Sequence, residues 1–159
     1  MSGISSATAQ AETTLALLAA FKTALADETD LDITLGFVFP PVGHAWVSIG
    51  DTVSDVDPKA IGPARQLSET ITISVSVGAW NPERDEDERE AVFRRAFGIL
   101  GTIQTHIRVN DITLGGTVLW CVPGHSSSTG ATPEDRAQFG EFTEIAATFV
   151  AQHRIRTFQ

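Results

Sequence analysis

Residues 67–80 read LSETITISVSVGAW, and the fold turns on them. From Thr70 to Val77 the alternation is unbroken. Ile71, Ile73, Val75 and Val77 point one way, and Thr70, Thr72, Ser74 and Ser76 the other. That is a β-strand with one face on a core and one on water or a polar partner. Asn81-Pro82 ends it, and Pro82 suits the first turn of a helix, where its missing N–H costs nothing. The acids from Glu83 to Glu90 sit well against the positive end of a helix dipole. A stripe of Phe93, Ala96, Phe97, Leu100, Ile103 and Ile107 then predicts a long amphipathic helix over Asp85 to about Ile107. Its natural partner is the apolar face of the preceding strand.

Working outward, residues 5–26 predict a helix capped by Ser5 or Ser6, with Ala11, Leu15, Leu18, Phe21 and Leu25 as its apolar positions. Leu31–Phe39 reads as extended up to Pro40-Pro41, and Ala45–Ile49 as a strand. Residues 50–66 read as a long loop, with at most a short strand at its start. Gly115-Gly116 lacks any phosphate-loop pattern and reads as a tight turn with positive φ. Thr117–Val122 is a third strand and residues 123–135 a second long polar loop. Phe139–Ile155 is a last long strand with a bulge near Ala146-Ala147, a helix being the competing reading. The fold class is α+β: a mostly antiparallel sheet of about four to five strands with two helices packed on one face. The chain of 159 residues reads as one domain, residues 1–159, with residues 1–5 frayed.

Eleven basic and 20 acidic residues give a formal charge of −9. That excludes electrostatic nucleic-acid binding, which needs Lys and Arg on phosphates. A lone cysteine, Cys121, excludes an intrachain disulfide. No signal peptide and no membrane-spanning run is visible, so synthesis in a reducing cytoplasm is expected, with no membrane partner.

Motifs for chemistry are sparse. His44, His106, His125 and His153 have no metal-binding spacing, and successive acids on a helix diverge, so no metal or cofactor is expected. His125 beside Ser126, Ser127 and Ser128 is a Ser/His pair only if folding supplies triad geometry, and a polar loop is the simpler reading. Cys121 reads as a small buried residue. No catalytic residue is assigned.

The alternating strand Thr70–Val77, the helix Arg89–Ile107, the turn Asp111–Gly116 into Thr117–Val122, the polar loop and a closing strand FGEFTEIAATFVA occur here in that succession. Over about Ala9 to Ile155 the chain resembles the tail terminator (tail completion) family of long-tailed bacteriophages. The N-terminal region and residues 52–63 depart from the family in being longer in polar and acidic residues. The resemblance implies an α+β subunit in a homo-oligomeric, hexameric ring. That ring would cap the tail tube protein at the head-proximal end of the virion's tail. It would stop tube growth and accept the head–tail connector or neck protein. DNA would pass through the lumen without specific binding, which suits an acidic chain. No catalytic residues carry over.

A closed ring needs two different complementary surfaces on each subunit. Residues 1–60 hold two Lys and eight acids, whereas 136–159 hold three Arg and two Glu. The candidate inter-subunit or inter-ring contacts are therefore Asp51, Asp55 and Asp57, His125, Ser126, Ser127 and Ser128, and Arg154 and Arg156. The Thr/Ser face of the central strand comes second. The alternatives are a head-side neck adaptor, or a small enzyme or ligand-binding module with Trp46, Trp120, His125 and Cys121 around a pocket.

Overall fold

The computed structural model describes residues 4–5, 8–37, 42–58, 66–83, 85–129 and 140–156. The elements are β1 (Ile4–Ser5), α1 (Gln10–Ala24), β2 (Leu31–Leu35), β3 (Ala45–Pro58), β4 (Gln66–Asn81), α2 (Glu86–Thr105), β5 (Trp120–Thr129) and β6 (Glu141–Arg156). A π-helical turn, His106–Asn110, extends α2. The sheet runs β2-β3-β4-β6, and β1 and β5 share the outer edge of β6. Pairing is antiparallel except for β1 on β6 and β2 on β3. Both helices lie on one face, so the architecture is the α+β one expected.

β4 is the middle strand, and its alternation is realised: Ile71, Ile73, Val75 and Val77 are buried beneath the helices. Ala45, Val47 and Ile49 of β3 and Ile145, Ala147, Phe149 and Ala151 of β6 complete that face. Phe21 of α1 packs on Phe149 with ring centroids 5.3 Å apart. Asp85 caps α2, accepting from Asp87 N–H at 3.3 Å, and Glu86, Asp87 and Glu88 fill the acidic first turn. Arg89 then grips the buried Glu141 at the start of β6 through Nε at 2.9 Å and Nη2 at 3.3 Å. Leu114, Gly115 and Gly116 adopt positive φ in the turn before β5, as the tight-turn reading requires.

Several expectations need correction. α1 begins at Gln10, and its inward positions are Thr13, Thr14, Leu17, Ala20 and Phe21, leaving Leu15 half-exposed. α2 buries Val92, Ala96, Ile99, Leu100 and Ile103, so Phe93 and Phe97 flank the apolar stripe instead of centring it. Residues 50–58 and 123–129, expected in loops, are strand; 59–65 and 130–135 lie outside the described residues. Residues 117–119, expected as strand, form the end of the turn. Ile4–Ser5, expected frayed, pair with Arg154–Ile155.

The bulge predicted near Ala146-Ala147 is absent, because β6 pairs with β4 without a register break from Glu141 to Arg156. Its out-of-step apolar residues sit on the opposite face. Phe142 packs there against Trp46 at 5.5 Å. The register shifts fall instead in β3 between Ile49 and Thr52, and in β5 between Pro123 and Ser126.

Candidate assembly surfaces

β2 pairs with β3 only as far as Ile49, so from Thr52 to Pro58 the outer edge of β3 has no strand neighbour among the described residues. Gln10 of α1 caps the start of that edge, its Nε2 donating to the Thr52 carbonyl at 3.1 Å and hydroxyl at 2.6 Å. After the bulge, alternation puts Ser54 toward the helix side, where it bonds Glu69, and Asp55 and Asp57 on the open face. Asp51, Asp55 and Asp57 are all exposed.

The opposite flank of the sheet is built by β6, with β1 and β5 outside it. Arg154 is exposed there, and no ion pair joins it to an acid among the described residues. Asp57, Ser68 and Arg154 stand in one row across β3, β4 and β6. At about 4.8 Å per strand the acid and the guanidinium lie roughly 10 Å apart at their Cα atoms, one on each flank. Folding thus puts Asp55 and Asp57 on one side of β4 and Arg154 on the other, with Glu144 the other exposed charge of β6 among the described residues. Arg156 ends β6 opposite Gln66.

The face away from the helices carries the Thr/Ser ladder. Ser48, Ser74, Ser76, Ala146 and Thr148 form the floor of an open depression of about 370 Å³, and His125 and Ser127 of β5 form part of its rim. Phe37 also lines it, packed at 5.8 Å on Trp46, whose Nε1 donates to the Ser76 hydroxyl at 3.1 Å. Gly78 lies opposite Trp46 in the ladder, and any Cβ there would overlap the indole. Ser126 and Ser128, also exposed, pair with core-facing positions of β6 and so alternate away from the depression.

The residues suggested for a catalytic pocket are not brought together. Cys121 pairs with Ala151 on the core side, whereas His125 lies across the sheet on the open side. Burial pushes the Cys121 thiol up to about 12, with the charge of Asp111 adding to it. No hydrogen bond joins the His125 ring to a serine hydroxyl among the described residues; its carbonyl accepts from Thr148 Oγ1 at 3.2 Å. Trp120 is on the open side but at the outer strand. Among the described residues no group of three or more His, Cys, Asp or Glu could hold a metal ion.

Two ionisable clusters escaped the sequence reading. Glu69 is fully buried beneath the helix side of β4. Its Oε1 accepts from Ala9 N–H at 3.0 Å and lies 2.9 Å from His153 Nδ1; its Oε2 accepts from the Thr8 and Ser54 hydroxyls. Serine and histidine each bond the carboxylate and not each other. A nucleophilic triad needs the imidazole in the middle, so this is a structural clasp joining α1, β3, β4 and β6. Elsewhere, His44 Nδ1 meets Asp30 Oδ2 at 2.6 Å and stacks on Trp80 at 4.7 Å. The side-chain hydrogen bond with His44 holds the Asp30 carboxyl below its ordinary value. Asp30, at φ 59°, also accepts from His44 N–H, and Asp32 accepts from the Val42 and Gly43 amides. That cluster stitches the α1–β2 connection to the start of β3.

No protein-family model matches the chain, and no curated protein matches it. Among solved structures, it is similar to a chain of one described as "Virion of native gene transfer agent (GTA) particle". The two share 11% identity and a TM-score of 0.39, over 87% of this chain and 94% of that one.

Proposed function

We propose that this protein is a structural component of a phage-like virion, a tail terminator whose copies close into a ring on the end of the tail tube. The observation that carries the reading is unlike charge on the two sides of β4: the exposed Asp51, Asp55 and Asp57 along β3, and the exposed Arg154 near the end of β6, a strand that also exposes Glu144. A surface complementary to a different surface of the same molecule makes a head-to-tail contact, and such contacts generate rings when the rotation closes. Electrostatic complementarity also fixes the register and disfavours wrong pairings. The resemblance in the succession of elements supports a place at the head-proximal end of the tail. The net charge of −9 supplies a wall to which a passing genome does not adhere.

The mechanism is templating without continuation. One face of the ring docks on the last ring of tube subunits. The other lacks the surface for another tube ring and accepts the connector.

The test has two arms. Native mass spectrometry of the purified protein should show a closed oligomer, and Arg154→Glu with Arg156→Glu should dissociate it. Unaltered assembly of that variant would remove the charged flanks from the mechanism. In particles lacking the protein, negative-stain images should show overlong tubes. Tails of normal length, detached from heads, would make it a neck adaptor instead.

A further inference from the structure

The helix layer carries a second pair of unlike flanks, and it is apolar. Phe93 and Phe97 lie one turn apart on α2 with ring centroids 4.8 Å apart, and they remain 49% and 37% exposed. Arg95, about 200° around the helix from both, donates to the Thr29 and Asp30 carbonyls at the α1–β2 connection. The two rings therefore project from the flank turned away from α1, on the side of β6 and β5. On the other side of the molecule, α1 and the β2–β3 edge leave an apolar groove of about 560 Å³. It is lined by Ala11, Thr14, Leu15, Leu35, Gly50 and Thr52, with Leu15 and Leu35 about half-exposed.

We infer that the groove beside Leu15 and Leu35 receives Phe93 and Phe97 of a second copy of this chain. The occupant is a second copy because Arg154 near the end of β6 is opposite in sign to the exposed aspartates of β3. The acidic β3 edge runs beside the groove, and Arg154 lies on the flank from which the rings project, so one docking motion satisfies both layers. Area arithmetic requires both layers. A phenylalanine offers roughly 200 Å², so the two exposed fractions supply under about 200 Å². A stable interface needs about 800 Å² per partner, and the charged sheet flanks must furnish the rest. The aromatic pair is the anchor and the charges set the register. This inference rests on the ring reading above.

The experiment uses the full chain. Leu15→Cys and Phe97→Cys proteins are prepared separately, mixed, and oxidised, with Cys121 buried and silent. A covalent link between unlike subunits is expected in the mixture and in neither protein alone. Phe93→Ser with Phe97→Ser should raise the dissociation constant of the oligomer by at least about 100-fold. Its thermal midpoint as a monomer should hold, since both rings are half in solvent. If wild-type rings form but the 15–97 link does not, the inference falls and the ring reading stands. If the wild-type chain stays monomeric at every concentration tested and no link forms, both fall.

Discussion

Replacing Glu69 tests whether the fold is held at its open end by one carboxylate. The side chain is fully buried, with four donors converging on its two oxygens from Thr8, Ala9, Ser54 and His153. The Ala9 amide is the capping N–H of α1, a helix with no side-chain cap of its own. Glu69→Ala strands all four donors. Breaking a buried hydrogen-bonded pair by deleting one partner costs about 3–5 kcal/mol, and each donor left unsatisfied adds about 1–3 kcal/mol where water cannot enter. Water entering from the sheet end will return part of that, so a loss of about 3–5 kcal/mol is expected. For a domain of this size that lowers Tm by about 6–20 °C.

Glu69→Gln keeps the shape and one acceptor oxygen, and the two hydroxyls can rotate to accept from the amide. It should cost about 1–3 kcal/mol. Urea unfolding followed by tryptophan fluorescence measures both. The pH dependence is an independent readout. Burial raises the Glu69 carboxyl, but the Ser54 and Thr8 hydroxyls, the Ala9 amide and His153 outweigh it, and its value falls below the ordinary one of 4.5. A depressed carboxylate contributes stability that is present above its unfolded value and lost as pH falls through its folded value. Wild type should therefore weaken on acidification below about pH 4.5, and Glu69→Gln should lack that component. A Glu69→Ala protein within about 1 kcal/mol of wild type at pH 7, with an unchanged acid limb, would refute the clasp.

Three further outcomes follow from the packing. Gly78→Ala should cost about 1–3 kcal/mol by forcing Trp46 off its seat, with a shift in tryptophan emission as the check. Glu141→Ala should lower the thermal midpoint by removing the buried acceptor through which Arg89 ties the start of α2 to β6, read by thermal melting. Cys121, buried and with its thiol at about 12, should resist alkylation at pH 8 until urea unfolds the chain; rapid native labelling would show that the core opens there.

The strand at Thr70–Val77 was legible because β4 is the middle strand and one of its faces is sealed by helices. Alternation is then a direct record of burial. Glu69 was missed although it has the parity of Ile71 and Ile73, because an acid at the start of a strand reads as solvated. Its partners Thr8, Ala9 and His153 lie 60 or more positions away. Phe93 and Phe97 were misplaced because spacing by threes and fours admits two overlapping stripes on α2, and only contact with the sheet selects the one through Val92 and Ile99. Residues 52–58 read as loop because a bulge breaks their parity and their aspartates face solvent at a strand edge. The uneven charge was visible in the sequence; the placement of Asp57 and Arg154 on either side of β4 was not, since that depends on the order of strands. His125 and Cys121, four positions apart along the chain, lie on opposite faces of the sheet.

The manner in which the edges are guarded bears on how a ring-former would stop at a ring. An open strand edge invites any other strand, and natural sheets blunt it with charge, proline, bulges or cover. β3 uses all four: a register shift before Thr52, Gln10 bonded over the Thr52 carbonyl, the carboxylates of Asp55 and Asp57, and Pro58 at the end. β5 carries Pro123 and a shift before Ser126, and Cys121 N–H is already spent on the Ile112 carbonyl at 2.6 Å. Backbone pairing with an arbitrary strand is therefore obstructed along β3 past Thr52 and along β5, while side-chain recognition is left available. Two aspartate edges repel each other, which disfavours a like-to-like contact along β3. Under the ring proposal, a subunit built this way would join one neighbour on each side without edge-to-edge zipping along β3, which is the property a tube-ending ring requires.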